Sequence, residues 1–416
     1  MEIDTKDPIS KTIADAYKNG EENSIPNDWE IRLLRKLVNF TNGKAHEKSI
    51  DESGDYIVVN SKFISTEGEV KKFTNENNCP AKQNNILMVM SDVPNGKAIA
   101  KCYLVEEDNL YTVNQRICAL QAIDVDSKFL FYALDRNKYY LQFDDGVKQT
   151  NLRKDDVLNC PLPLPPTIKE QQAIAEALSD VDALIAELDA LIKKKQQVKK
   201  GTMQQLLTGE KRLPGFDGEW EEKKLGEVLY VQGGYAFKSA NFQKFGIPII
   251  RISNIQDGAI DLEESAFYSP DSHIPNEFKI EKGEALIAMS GATTGKVGLY
   301  SHDQVAYQNQ RVGKFVVNDS RHTDDSYILH LVSSDHFRKV LSKELEQGAQ
   351  PNVSAKQLEG LVFNMPNDVE EQKAIAQILG DIDAEIQGLQ SKRVKYEQIK
   401  QGMMQELLTG KTRLVE

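Results

Sequence analysis

The tripeptide Asn-Gln-Arg occurs twice, at Asn114-Gln115-Arg116 and at Asn309-Gln310-Arg311, and carries side chains suited to reading polar edges. A guanidinium presents paired donors that match the acceptors of guanine. A primary amide presents the donor and acceptor that match adenine. The same groups can instead cap loops or pair with carboxylates, so their chemistry depends on what holds them.

A second candidate is Ser290-Gly291-Ala292-Thr293-Thr294-Gly295-Lys296, which combines small residues, hydroxyls and a cation and so permits close approach to a phosphate. A nucleotide-binding loop needs four residues between its glycines and Ser or Thr after the lysine. Here three intervene and Val297 follows, and the segment reads as strand-turn-strand, which excludes that reading. A tight hairpin is the plain alternative. Its counterpart earlier in the chain runs from Ser91 to Asn95-Gly96-Lys97, with Asp92-Val93-Pro94-Asn95 in place of Gly291–Thr294. Weaker candidates are Arg251, Ser253 and Asn254, their counterpart Asn60, and the pairs Gln149/Asn151 and Gln350/Asn352. Tyr235 and Phe237 offer apolar contact to thymine methyls or simply core packing.

No catalytic constellation emerges. Asp180 and Asp182 lie two apart on a helix and therefore on different faces. The Asn-Pro-Pro-Tyr and Asp-Pro-Pro-Tyr motifs of amino-methyltransferases are missing. Cys79, Cys102, Cys118 and Cys160 form no Cys-x-x-Cys pair, which favours reduced thiols in a cytoplasm over a disulfide framework or zinc site. The histidines show no metal-ligand spacing, and no apolar run is long enough to cross a bilayer.

The elements that must position these residues are duplicated. Glu170–Leu213 and Glu371–Leu414 align without a gap and are identical at about half their positions. Each predicts a long helix with a heptad stripe: Ile174, Leu178, Val181, Ile185, Leu188 and Ile192 in the first, and Ile375, Leu379, Ile382, Ile386 and Leu389 in the second. Pro165, Pro166 and Pro366 precede them, while Gly209 and Gly410 stop them. Acids fill the first half of each helix (Glu176, Asp180, Asp182, Glu187, Asp189; Asp381, Asp383, Glu385). Bases fill the second (Lys193, Lys194, Lys195, Lys199, Lys200; Lys392, Arg393, Lys395, Lys400). Parallel pairing would set like charge against like, so antiparallel pairing is expected. The lysine runs read as solvated faces before they read as DNA contacts.

The segments before and between the helices share landmarks in the same order. Trp29 answers to Trp220, Ile57–Asn60 to Ile250–Asn254, Ile86–Ser91 to Ala285–Ser290, and Gly146–Asn151 to Gly348–Asn352. Short β-branched runs broken by Gly, Asn and Asp predict strands and hairpins, with helices near Lys128–Asp135 and Tyr327–Leu341. The expected organisation is mixed α/β. A polar, helical extension spans 1–24, a globule 25–166, a spacer helix 167–209, a second globule 210–366 and a second spacer helix 367–410. The plan is pseudo-twofold, with two similar but unequal globules on an antiparallel coiled coil. Such a molecule suits an asymmetric, two-part target, because symmetric proteins read symmetric DNA.

The 416 residues include 40% hydrophobic and 27% charged positions, ordinary for a globular protein. The net charge of −12 runs against nucleic-acid binding, whose domains are usually basic. It supports the competing reading of a coiled-coil scaffold or acidic DNA mimic that binds other proteins.

From about Ile25 onward the chain resembles the specificity subunits of type I restriction–modification systems. The resemblance rests on Pro163-Leu164-Pro165-Pro166 before Glu170-Gln171-Gln172-Ala173-Ile174-Ala175, on Leu206-Leu207-Thr208-Gly209, and on Ser290–Lys296 followed by Asn309-Gln310-Arg311. It implies two target-recognition domains that each read half of a split site in double-stranded DNA, and helices that dock two methyltransferase subunits, joined by restriction subunits. It implies that this chain is not an enzyme and holds no cofactor, S-adenosylmethionine, magnesium and ATP belonging to the partners.

Overall fold

The structure, a computed structural model, describes residues 25–93, 96–144, 146–345 and 352–414. The expected extension over 1–24 lies outside them. The chain folds into two compact units, one running to Glu187 and resuming at Lys392, the other comprising Leu188–Ser391. The boundaries differ from the linear partition expected above, because each long helix contributes one half to each unit.

In the first unit an antiparallel sheet runs in the order Val38–Asn42, Ile117–Ala122, Asn85–Val89, Cys102–Leu104, with Ile86 opposite Leu120. The apolar run Ile86–Val89 is buried throughout, as expected of a strand covered on both faces. A second sheet orders Phe73–Thr74, Tyr56–Val59 and Tyr111–Val113, the last two parallel. The second unit repeats the scheme. Leu229–Gly233, Val312–Val317, Ala285–Ala288 and Val297–Leu299 form the first sheet, extended by Gly258–Ile260 and Ile255–Gln256. Ala266–Tyr268, Ile247–Ile250, Ala306–Gln308 and Lys279–Ile280 form the other, again with one parallel pair, Ile249 opposite Tyr307. The helix expected over Tyr327–Leu341 is two helices, Asp325–Val332 and Asp335–Leu345. The break falls at Ser334, whose hydroxyl accepts from the Phe337 amide at 3.0 Å and so caps the second helix.

The long helices span Ile168–Leu207 and Val369–Leu407. Their partnership is antiparallel within each unit. In the first, Ile174 and Leu178 share a core with Met403, Met404 and Leu407, and Lys400 bonds Asp182 at 2.6 Å. In the second, Met203 and Leu206 share a core with Ile375 and Leu379, while Lys195 meets Glu385 at 2.7 Å and Lys199 meets Asp383 at 2.6 Å. These pairs join the basic half of one helix to the acidic half of the other. Each contributes little by itself, and their sum selects direction. Gly209 and Gly410 end the helices at φ +75° and +73°, conformations that glycine adopts without strain.

The repeated motifs at the helix ends turn out to be structural. Glu371 is almost fully buried and accepts both Nε and Nη2 of Arg212, at 2.7 and 2.8 Å, together with the Trp220 indole N–H at 3.2 Å. Glu170, equally buried, accepts Nε and Nη2 of Arg413, which also bridges to Asp28. The next residue anchors the globule. Gln171 accepts the Asp126 amide at 2.9 Å and donates to the Pro165 carbonyl at 3.1 Å, and Gln372 does the same with Asp324 at 2.8 Å and Pro366 at 2.9 Å. Asp126 and Asp324 are themselves helix N-caps, so one amide side chain joins a cap, a strand end and the long helix.

His330 packs against the paired helices in the second unit. Burial and the Lys199 ammonium hold its imidazole below the ordinary 6.5, against Asp383 and Asp324, which pull the other way. The unfolded chain therefore takes up a proton near pH 6.5, where the folded unit stays neutral. The stability linked to this group is complete above pH 6.5 and is lost as pH falls below it. The urea midpoint is expected to drop between about pH 7 and 5, and His330→Gln should flatten that slope.

Candidate nucleic-acid interface

Both Asn-Gln-Arg segments fold into the same tight turn between the two sheets of their unit. The Asn114 amide donates to the Val59 carbonyl at 3.0 Å, and the Asn309 amide to Ile250 at 3.1 Å. The turn closes when Ile117 and Val312 donate back to Asn114 and Asn309, both at 2.9 Å. Asn114 and Asn309 are half-buried, which leaves Gln115, Arg116, Gln310 and Arg311 exposed at the tip. Gln115 reaches Glu47 at 2.9 Å; among the described residues the Arg116 and Arg311 guanidinium groups have no ion-pair partner.

The turn is bound to the end of the neighbouring strand. Met90 donates to the Arg116 carbonyl at 2.9 Å and accepts from Leu152 at 2.7 Å. Met289 donates to Arg311 at 3.0 Å and accepts from Val353 at 3.0 Å. The following serines lie opposite asparagines, Ser91 opposite Asn151 and Ser290 opposite Asn352. The structure therefore brings Arg116, Ser91, Gln149 and Asn151 into one cluster, and Arg311, Ser290 and Asn352 into its equivalent. The clusters differ in saturation. The Ser91 hydroxyl donates to Asn151 and accepts from Gln149, each at 2.7 Å. The Ser290 hydroxyl is buried without a partner among the described residues. Gln350 lies outside those residues, as does Asn95.

The Ser290–Lys296 segment leaves the strand Ala285–Ala288 and enters Val297–Leu299, the hairpin expected. Its two threonine hydroxyls are engaged, while that of Ser290 is not: Thr293 donates to the Ile252 carbonyl at 2.9 Å and Thr294 to Gly291 at 2.7 Å. Lys296 lies 3.3 Å from Gln256. In the first unit Asp92 performs the closing role, accepting from the amides of Val93, Ala98 and Ile99 at 2.9, 2.6 and 3.1 Å, and leaves Lys97 exposed. A carboxylate at the base of that loop disfavours a phosphate there, which separates the two loops chemically.

Three candidates serve the fold. Asn60 is an N-cap, accepting from the Phe63 amide at 2.9 Å. Asn254 is 3% exposed, accepts from the Arg251 amide at 3.0 Å and donates to the Asp261 carbonyl at 2.9 Å, so it is out of reach of a ligand. Arg251 is half-buried and donates to the Glu264 carbonyl at 2.6 Å. Tyr235 and Phe237 join an aromatic cluster with Phe278, Tyr268 and Tyr307, with ring centroids 4.9 to 5.8 Å apart. Sequence reasoning missed Gly43 and Gly234. A Cβ on either would stand 2.0 Å from the carbonyl oxygen of Asn114 or Asn309, so only glycine lets this strand pass beside the turn. The signal was available in the aligned Gly43-Lys44 and Gly234-Tyr235.

Among the described residues no cluster of three or more His, Cys, Asp or Glu could hold a metal, and no helix is long and apolar enough to cross a membrane.

Comparison with known proteins is consistent across the chain. The family model described as type I restriction modification DNA specificity domain matches residues 26–200 and 217–398. The chain is 28% identical over 410 residues to the type I restriction enzyme MjaVIII specificity subunit of Methanocaldococcus jannaschii, covering 94% of each. It is 25% identical over 428 residues to the putative MjaX specificity subunit of the same organism, covering 96% of this chain and 97% of that one. In fold it resembles the crystal structure of the type I restriction–modification S subunit from M. genitalium, with a TM-score of 0.58 at 19% identity over 94% of this chain and 98% of that one. With two copies of the domain matched across most of its length, and each copy carrying the same Asn-Gln-Arg turn, this chain belongs to the type I restriction–modification DNA specificity family.

Proposed function

We propose that this protein is the non-catalytic subunit that recognises DNA sequence for a type I restriction–modification complex, that its globules 25–166 and 210–366 each read one half of an asymmetric, two-part site, and that its long helices dock two methyltransferase subunits, which restriction subunits join. S-adenosylmethionine, magnesium and ATP belong to those partners, and the complex works on cytoplasmic DNA. One observation carries the reading most: two equivalent turns, each held between two sheets, expose an arginine that has no ion-pair partner among the described residues. A fixed backbone suits base readout, since main-chain entropy is already spent and the planar guanidinium fork loses little per hydrogen bond it forms.

Selection from a randomised duplex pool by the full chain, alone and with its methyltransferase, tests this. The expected result is a motif of two unlike parts, with affinity that falls steeply as salt rises. The charge of −12 favours the competing scaffold or DNA-mimic reading, and recovery of no motif by either preparation would select that reading.

A further inference from the structure

The residue after each of the equivalent glycines, Gly43 and Gly234, occupies one position in the two units with opposite chemistry. Lys44 donates its amide to Val113 at 2.9 Å and bridges in parallel to Asn114. Tyr235 donates to Gln308 at 2.9 Å and bridges in parallel to Asn309. Both therefore stand beside the exposed Gln-Arg tip. The Lys44 backbone is fixed further by buried His46, whose Nδ1 lies 2.7 Å from the Lys44 carbonyl and whose Nε2 lies 3.0 Å from the Thr112 hydroxyl. Its side chain is exposed and has no ion pair among the described residues. Tyr235 is half-buried, its ring held edge-on by Phe237 at 4.9 Å and tilted against Phe278 at 5.4 Å.

Resting on the reading of each unit as a half-site reader, we infer that Lys44 and Tyr235 are equivalent specificity-determining residues that make the two half-sites unlike, the ammonium taking the O6 and N7 acceptors of a guanine and the tyrosine ring taking the C5 methyl of a thymine. An ammonium beside the tip finds paired acceptors only on guanine in the major groove. A fixed aromatic face gains nothing from those acceptors, whereas it buries a methyl group. Among the described residues the aromatic cluster that holds Tyr235 has no equivalent around Lys44, where His46 and Thr112 stand in the places of Phe237 and Tyr307. The difference is thus built into the framework of each unit.

The test uses the full chain on the randomised duplex pool, then on the selected motif with thymine replaced by uracil in one half at a time. Lys44→Ala is expected to erase a guanine preference in one half only. Tyr235→Leu is expected to alter the other half only, and Tyr235→Phe, which keeps the ring, should leave the motif unchanged. Uracil in the Tyr235 half should weaken the parent about fourfold, the effect of roughly one buried methyl, and leave Tyr235→Leu less sensitive. Uniform weakening by Lys44→Ala across all sequences, with a salt slope shallower by about one, would mean a phosphate contact and overturn the guanine assignment. Insensitivity to uracil would overturn the thymine assignment. Failure of the parent chain to select any motif would overturn the half-site reading itself, and this inference with it. Thermal melting of each variant separates lost contact from lost folding.

Discussion

Arg212→Ala lowers the unfolding free energy of the chain by about 3–5 kcal/mol, a large effect for a single substitution at a helix end. The Glu371 side chain is 2% exposed against 31% for Arg212. Removing the arginine strands a buried carboxylate with one indole N–H as its remaining side-chain donor among the described residues, and the desolvation cost already incurred is then uncompensated. Arg212→Lys keeps the charge but loses the two-pronged geometry, so it should fall between parent and alanine. Replacing both partners by leucine should recover most of the loss, because the apolar pair has no charge to desolvate. The two tryptophans, Trp29 and Trp220, are convenient reporters. In a Trp29→Phe background, urea unfolding followed by Trp220 fluorescence reads the second unit directly. An unchanged midpoint for Arg212→Ala would show that water, rather than this guanidinium, satisfies Glu371.

Arg311→Ala relaxes one half of the recognised sequence by about 1–3 kcal/mol, roughly five- to 150-fold in discrimination, and leaves the other half intact. Arg116→Ala does the reverse. The expectation follows from the turn geometry. The backbone of each arginine is tied through its carbonyl to Met90 or Met289, and the side chain is exposed. Losing the side chain therefore removes a contact without loosening the turn. Competition binding with half-site variants, or sequencing of methylated genomic positions in cells that carry each variant, reads the result. Equal loss in both halves would contradict independent readers, and no change in either would place the arginines outside the interface.

The signals differed in how far each could be read. Heptads, helix stops and segregated charge lie in contiguous residues and obey local rules, so the helix boundaries and antiparallel pairing were legible beforehand. Lys400 with Asp182 and Lys199 with Asp383 are the pairs that the charge pattern requires. Strand runs were legible for the same reason. The break at Ser334 was not, because its hydroxyl cap competes locally with an otherwise continuous apolar stripe. Among candidate residues, polar type alone could not separate a surface amide from a buried one. Asn254 and Gln310 look alike in sequence, yet one is enclosed by the Asp261 carbonyl and the other sits at a turn tip.

Duplication, periodicity and charge order were carried by the chain itself, because each depends on spacing along it: two copies of one plan, each with a long helix running opposite to its partner. The roles of Glu170, Glu371, Gln171 and Gln372 depended on folding, because their partners lie far away in sequence and burial gives a carboxylate its need for a guanidinium. The same holds for Gly43 and Gly234, whose lack of a side chain matters only where the carbonyl of the Asn-Gln-Arg turn passes 2.0 Å from a would-be Cβ.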